Sequence, residues 1–357
     1  MMKNYIAILP LLLLLLASCS EEDVTPAEPQ TPTESPDAVY IQARLGAVTY
    51  AATDLSPIED EKQIKSVAFF VEGENGELYK FFSEEPLQSA NGFEAASQDA
   101  SGNYTGITLK LEHGIHLGTT KVAVLANYHH YDSHLATALA AVESMDHLLA
   151  LKANTPANKL ETPLLMYDQC ILKIVSGQVT LWDGNPFNGI FNMKRIAARI
   201  EFDTTIAINN GGGWGDIPQV DDLIAAGRLE CFALLYNPKA ETYLFPGGGD
   251  INLLPSMERF SEKFPSQKGK ISFYTYETTG YETEPLEVYI ICRHQPTENG
   301  PWVESMSSVV PVGNDSKLPL FKRNHAYAMP SVSFDLTVTD WDEAEWLSNK
   351  RLHTTNH

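Results

Sequence analysis

The sequence predicts a mainly β protein of two β-sandwich-like domains, with one longer helix in the first. Three observations carry this. Short apolar or alternating segments recur along the chain, Gly, Asn, Asp and Pro turn signals separate them, and a single stretch shows helical spacing. The chain has 357 residues. Without a leader and linker roughly 320 remain, enough for two domains of ordinary size.

The elements follow in order. Val39, Ile41, Ala43, Leu45 and Ala47 alternate with Tyr40, Gln42, Arg44 and Gly46, which reads as a strand with one apolar face. Ile64 to Val71 is a buried strand; Glu74-Asn75-Gly76 turns the chain, and Leu78 to Phe82 returns as its hairpin partner. Tyr104 to Leu111 alternates, and Lys121 to Asn127 is short and apolar, as a central strand would be. Asp132 and Ser133 can cap a helix in which Leu135, Leu139, Val142, Met145, Leu148 and Leu149 recur at helical spacing to about Lys152. Leu164 to Met166 and Ile171 to Leu181 are strand-like. Asp183-Gly184-Asn185-Pro186 and Asn188-Gly189 then mark a turn-rich break. The domain boundary is expected there, giving domains of 38–186 and 187–346. The second half opens with Lys194 to Phe202 and Thr204 to Ile208. Strands are expected at Leu229 to Tyr236, Ile271 to Glu277, Leu286 to Arg293 and Ser308 to Val312, with a final one through Val332, Phe334, Leu336 and Val338.

The first residues read as an export signal. Lys3 supplies the positive charge, and Ile6 to Ala17 is an apolar core too short to span a membrane comfortably. Leu16-Ala17-Ser18-Cys19 matches the bacterial lipoprotein box. Cleavage is expected between Ser18 and Cys19, with residues 1–18 removed and the Cys19 thiol acylated. Each buried methylene of such an anchor contributes about 0.8 kcal/mol of membrane affinity. Ser20-Glu21-Glu22-Asp23 resembles the acidic tract that sends some lipoproteins to the outer face of the outer membrane. The rest of the 19–37 stretch is rich in Pro, Thr and Glu, the composition of an extended, disordered tether.

Composition excludes some partners. The 46 Asp and Glu outnumber the 25 Lys and Arg, for a net charge of −21. Such a chain does not seek nucleic acid or anionic lipid. Besides Cys19 there are Cys170, Cys231 and Cys292, all in apolar runs, so they read as buried thiols; a bridge between Cys231 and Cys292 is left open.

No constellation for catalysis stands out. There is no G-x-S-x-G turn, no H-E-x-x-H helix and no P-loop, so no enzyme, catalytic residue or cofactor is expected. His129, His130, Asp132 and His134 are the best metal candidates, but Asp132 and Ser133 look like a helix start and leave His129 and His130 in the preceding loop. No metal is therefore expected. Gly211-Gly212-Gly213-Trp214-Gly215 could present an aromatic ring to a glycan, with Trp302 the next to inspect. Gly247-Gly248-Gly249 lacks the context of a phosphate site.

The order of several segments resembles a known family. After the lipoprotein box come Ser66 to Gly76 (SVAFFVEGENG), Lys121 to Asn127 (KVAVLAN), Leu164 to Met166, Lys194 to Phe202 (KRIAARIEF), Phe273 to Glu277 (FYTYE), Arg323 to Tyr327 (RNHAY) and Val338 to Trp341 (VTDW). In this order they resemble the fimbrillin family of lipoprotein-derived pilins, the type V pilus subunits. The resemblance implies two transthyretin-like antiparallel β-sandwich domains joined near residues 183–191. It implies assembly by proteolysis-triggered donor-strand exchange, in which a first strand is cut away after an arginine and a strand from the next subunit replaces it. Here that strand is Val39, Ile41, Ala43, Leu45 and Ala47, and the arginine is Arg44. The implied partners are other fimbrial subunits, the outer membrane through the lipid, and a host or bacterial surface ligand. The implied location is the cell surface or fimbrium.

Two departures shape the expectation. A cut after Arg44 falls inside the strand, where the family's cut more often follows it. In Asp342 to His357 only Ala344, Trp346, Leu347 and Leu352 are apolar, and they do not alternate as a donor strand would; 347–357 reads as a polar tail. The expected role is therefore a tip or accessory pilin rather than a stalk subunit. An anchor subunit of the same pilus and a surface glycan-binding lipoprotein are the alternatives.

Overall fold

The computed structural model describes residues 39–47, 55–73, 75–83, 92–111, 118–131, 133–175, 178–209, 220–246, 258–259, 270–278, 286–296, 298–306, 310–311 and 320–337. Cys19, the tether, Trp214, Gly247–Gly249 and Asp342–His357 lie outside them.

The first half contributes β1 (Val39–Ala47), β2 (Val67–Glu72), β3 (Leu78–Phe82), β4 (Gly92–Gln98), β5 (Tyr104–Leu111) and β6 (Thr119–Ala126). After three short helices it adds β7 (Lys152–Ala153), β8 (Met166–Val175), β9 (Gln178–Leu181) and β10 (Ile190–Arg195). The strands run β3-β2-β6-β8-β10-β1-β5-β4, with β9 attached to β8. The strip doubles back at β10, whose Ile190–Met193 pair with β1 while Lys194 and Arg195 pair with β8. This brings the alternating apolar residues of both layers into one core, including Ile41, Phe69, Leu109, Val124, Leu172 and Phe191.

Strand β2 is buried on both faces, which is why its sequence reads VAFFV without alternation. Val67, Phe69 and Val71 face the sandwich core. Ala68 and Phe70 face a second core beneath the helices, with Tyr128, Leu135, Leu139, Val142, Met145 and Leu148. The helical segment is broken rather than continuous: α1 (Tyr128–Tyr131), α2 (Ser133–Ala140) and α3 (Met145–Leu149). Ser144 starts α3 by accepting a hydrogen bond from the His147 N–H at 3.1 Å, so the apolar spacing runs on across a restart.

The second half contains β11 (Ala197–Asn209), α4 (Val220–Ala225), β12 (Leu229–Tyr236), β13 (Thr242–Tyr243), β14 (Glu258–Arg259), β15 (Lys270–Tyr276), β16 (Glu287–His294), β17 (Val303–Met306), β18 (Val310–Pro311) and β19 (Ala326–Thr337). One sheet is β15-β11-β19; the other is β14-β12-β16-β17, with β18 on β16. Ala198, Ile200 and Phe202 of β11 meet Leu235, Val288 and Cys292 in the core between them.

The chain leaves the first sandwich at Ile196, later than the turn-rich break at 183–191. The segment Lys194–Phe202, which reads as one strand, is two. Lys194 and Arg195 close β10 in the first sandwich, and Ala197 opens β11 in the second. Buried polar contacts tie the halves together. Arg199 on β11 pairs with Glu61 at 2.8 Å, and Tyr274 on β15 donates to the same carboxylate at 2.9 Å. Arg195 donates through Nε to the Glu61 carbonyl at 3.1 Å and through Nη1 to Asn324 Oδ1 at 3.0 Å. The short β7 pairs with β13 across the same junction.

Candidate functional site

The geometry concentrates on β1. Val39–Arg44 pair antiparallel with Gly106–Leu111 of β5, and Arg44–Ala47 pair parallel with Ile190–Met193 of β10. The strand is an interior member of its layer. Ile41 (0% exposed), Ala43 and Leu45 enter the core, whereas Gln42, Arg44 and Gly46 face outward. Burying a side chain such as Ile41 or Leu45 is worth about 1.5–3 kcal/mol. Without these three residues the layer would hold an apolar slot flanked by unpaired β5 and β10 backbone groups, the setting in which an added strand binds.

Arg44 stands where the two ladders meet. Its backbone N–H donates to the Gly189 carbonyl at 2.6 Å, and its guanidinium donates to the Asn188 carbonyl at 3.1 Å. Its side chain is exposed, but its peptide group is part of the sheet. A protease cleft takes an extended, unpaired segment, so cutting after Arg44 requires β1 to fray first.

The sequence reading missed the seat of β1 at residues 187–193. Asn188-Gly189 reads as a simple break, yet Gly189 lies directly against β1. Its φ of 75° is left-handed, and a Cβ there would come within 2.7 Å of the Gln42 carbonyl oxygen. Phe187 packs on the core and meets Phe191 edge-on, with ring centroids 5.6 Å apart. From β8, the Asp168 carboxylate accepts the Asn192 N–H at 2.7 Å and braces β10 from its other side. Burial pushes the Asp168 carboxyl above its ordinary range, partly opposed by that N–H.

The other candidates are not brought together. His129 and His130 lie on α1 rather than in a loop, and both are exposed; His134 is exposed on α2. Among the described residues no group of three or more His, Cys, Asp or Glu could hold a metal ion. The ring of Trp302 is half-buried and covered by the Arg293 guanidinium at 4.7 Å, which is itself held by Glu230. Cys170 is half-buried on the core side of β8, and burial pushes its thiol up to about 12. Cys231 and Cys292 are buried and face each other across β12 and β16.

No protein-family model matches the chain, and no curated protein sequence matches it. Several solved structures are similar. Two are putative cell adhesion proteins. The one from Bacteroides eggerthii is 14% identical with a TM-score of 0.47, covering 84% of this chain and 88% of its own. The one from Bacteroides uniformis is 10% identical with a TM-score of 0.36, covering 75% of this chain and 85% of its own. A third is a fimbrial assembly protein from Parabacteroides distasonis, 13% identical with a TM-score of 0.41, covering 82% of this chain and 92% of its own.

Proposed function

We propose that this chain is a surface pilus subunit whose first sandwich accepts a strand from another subunit in place of β1. The observation that carries this is the position of β1. It supplies three core side chains between β5 and β10, yet follows a segment whose composition is that of a flexible tether. A strand held so can be replaced by another of the same alternation. Head-to-tail replacement does not close on itself and builds a filament. The lipoprotein box at Cys19 would carry the precursor to the outer membrane. The polar, non-alternating composition of Asp342–His357 makes that segment a poor donor and favours a tip or accessory place.

A specific protease sequence placed within residues 48–54 of the full chain allows β1 to be cut free at its downstream end. After cleavage, a fluorescent peptide of residues 38–48 should enter the sandwich one to one, and the same peptide carrying Ile41→Asn should not. A cleaved chain that stays folded and takes up neither peptide would overturn the proposal. The pairing of Arg44 on both sides favours a second reading, an anchor subunit that keeps its own strand and lipid. In that case cell-derived protein retains residues 39–47, and immunogold labels the fimbrial base rather than the tip.

A further inference from the structure

Cys231 and Cys292 lie opposite one another in the antiparallel ladder of β12 and β16. Both side chains point into the core of the second sandwich, and their Sγ atoms are 2.9 Å apart. Directly opposed residues in such a ladder have Cα atoms about 4.5–5.5 Å apart. That range falls inside the roughly 4.4–6.8 Å a disulfide spans. The backbone therefore needs no rearrangement for the two sulfurs to join. Cys170 belongs to the other sandwich core, so it does not compete as a partner.

We propose that Cys231 and Cys292 form a cross-strand disulfide that staples β12 to β16 in the exported protein. The proposal rests on the export signal ending at Cys19, not on strand exchange. The chemistry is exchange with an oxidised dithiol protein of the cell envelope. One cysteine thiolate attacks the carrier's disulfide and displaces a carrier thiolate. The second cysteine thiolate then attacks the mixed disulfide and releases the carrier's other thiolate. Two electrons pass to the carrier and two protons leave the cysteines. Cys292 is fully buried and Cys231 is 6% exposed. The exchange therefore happens while the chain folds, before β12 and β16 are covered. The bond would close a loop containing β13, β14 and β15, reinforcing the sandwich that keeps its first strand.

Trypsin reads the pair directly. Cleavage after Arg228, Lys239, Lys270 and Arg293 places Cys231 in the peptide 229–239 and Cys292 in the peptide 271–293. The full chain, purified from cell membranes with thiols blocked by N-ethylmaleimide at lysis, should give one linked species that separates on reduction. Finding both peptides alkylated before reduction would overturn the proposal. As a second readout, reductant should lower the melting temperature of the second sandwich by about 5–10 °C. It should leave a Cys231→Ala, Cys292→Ala double variant unmoved. An equal response from both proteins would also count against the bond.

Discussion

Strands β1 and β11 hold the same place in their two sandwiches. Each opens its half of the chain, and each lies between an antiparallel neighbour (β5 or β15) and a parallel one that closes the half (β10 or β19). Their core residues correspond too: Ile41, Ala43 and Leu45 in one, Ala198, Ile200 and Phe202 in the other. The difference lies in how they are held. The two ladders of β1 overlap only at Arg44, whereas Arg199–Phe202 of β11 are laddered on both sides. On the face turned away from the second core β11 also carries the buried Arg199, locked to Glu61, and it follows directly on Ile196, whose N–H donates to the Leu165 carbonyl. Under the proposed exchange, the two first strands are distinguished by ladder overlap and by what precedes them, and not by the topology, which both halves share.

Matched core truncations give the largest effect. Ile41→Ala and Ile200→Ala should each cost about 2–4 kcal/mol in denaturant unfolding. Only Ile41→Ala should also speed uptake of the 38–48 peptide by the cleaved chain. Equal acceleration by Ile200→Ala would remove the distinction between the two strands.

A smaller and more local effect is expected at the seat of β1. Gly189→Ala places a Cβ against the Gln42 carbonyl at a left-handed φ and should cost about 1–3 kcal/mol. Segment-resolved amide exchange should show the loss in β1 and β10, with β11 and β19 unchanged. Protection lost evenly over both sandwiches would contradict the assignment of Gly189 to β1.

The smallest effect concerns Asp168. Its folded pKa is raised, so the folded state binds the proton more readily than the unfolded state. The carboxylate therefore weakens the first sandwich above its folded pKa, and this penalty disappears as pH falls towards the unfolded value. Asp168→Asn keeps an acceptor for the Asn192 N–H and should change stability at neutral pH by less than about 1 kcal/mol, in the stabilising direction. It should also steepen the acid limb of the stability profile, because the proton uptake that offsets acid destabilisation is lost. A flatter limb in the variant would show that the carboxylate is bound as an ion.

Much of this arrangement was legible in the sequence, for physical reasons. A strand with one buried face alternates, so β1 and β5 could be bounded from their residues alone. What escaped depends on partners distant in sequence. The helix break was hidden because Val142 and Met145 keep helical spacing across the cap at Ser144. Lys194–Phe202 reads as one strand because the corner residue, Ile196, is as buried as its neighbours. Strand β4 (GFEAASQ) carries too weak an alternation to announce itself, and its pairing with β5 is irregular. The parallel pairing of β1 with β10, which makes Gly189 part of the site, joins segments more than a hundred residues apart. The facing of Cys231 and Cys292 likewise needed the register of β12 and β16.

Amide hydrogen exchange on the intact chain compares the two first strands most directly. Ile41, Ala43 and Leu45 should exchange together through a local opening that leaves β6 and β8 protected, while Ala198, Ile200 and Phe202 should exchange only when the second sandwich unfolds. If the β1 amides instead persist until β6 and β8 are lost, β1 is an integral strand of the first sandwich and cannot be replaced by another molecule's.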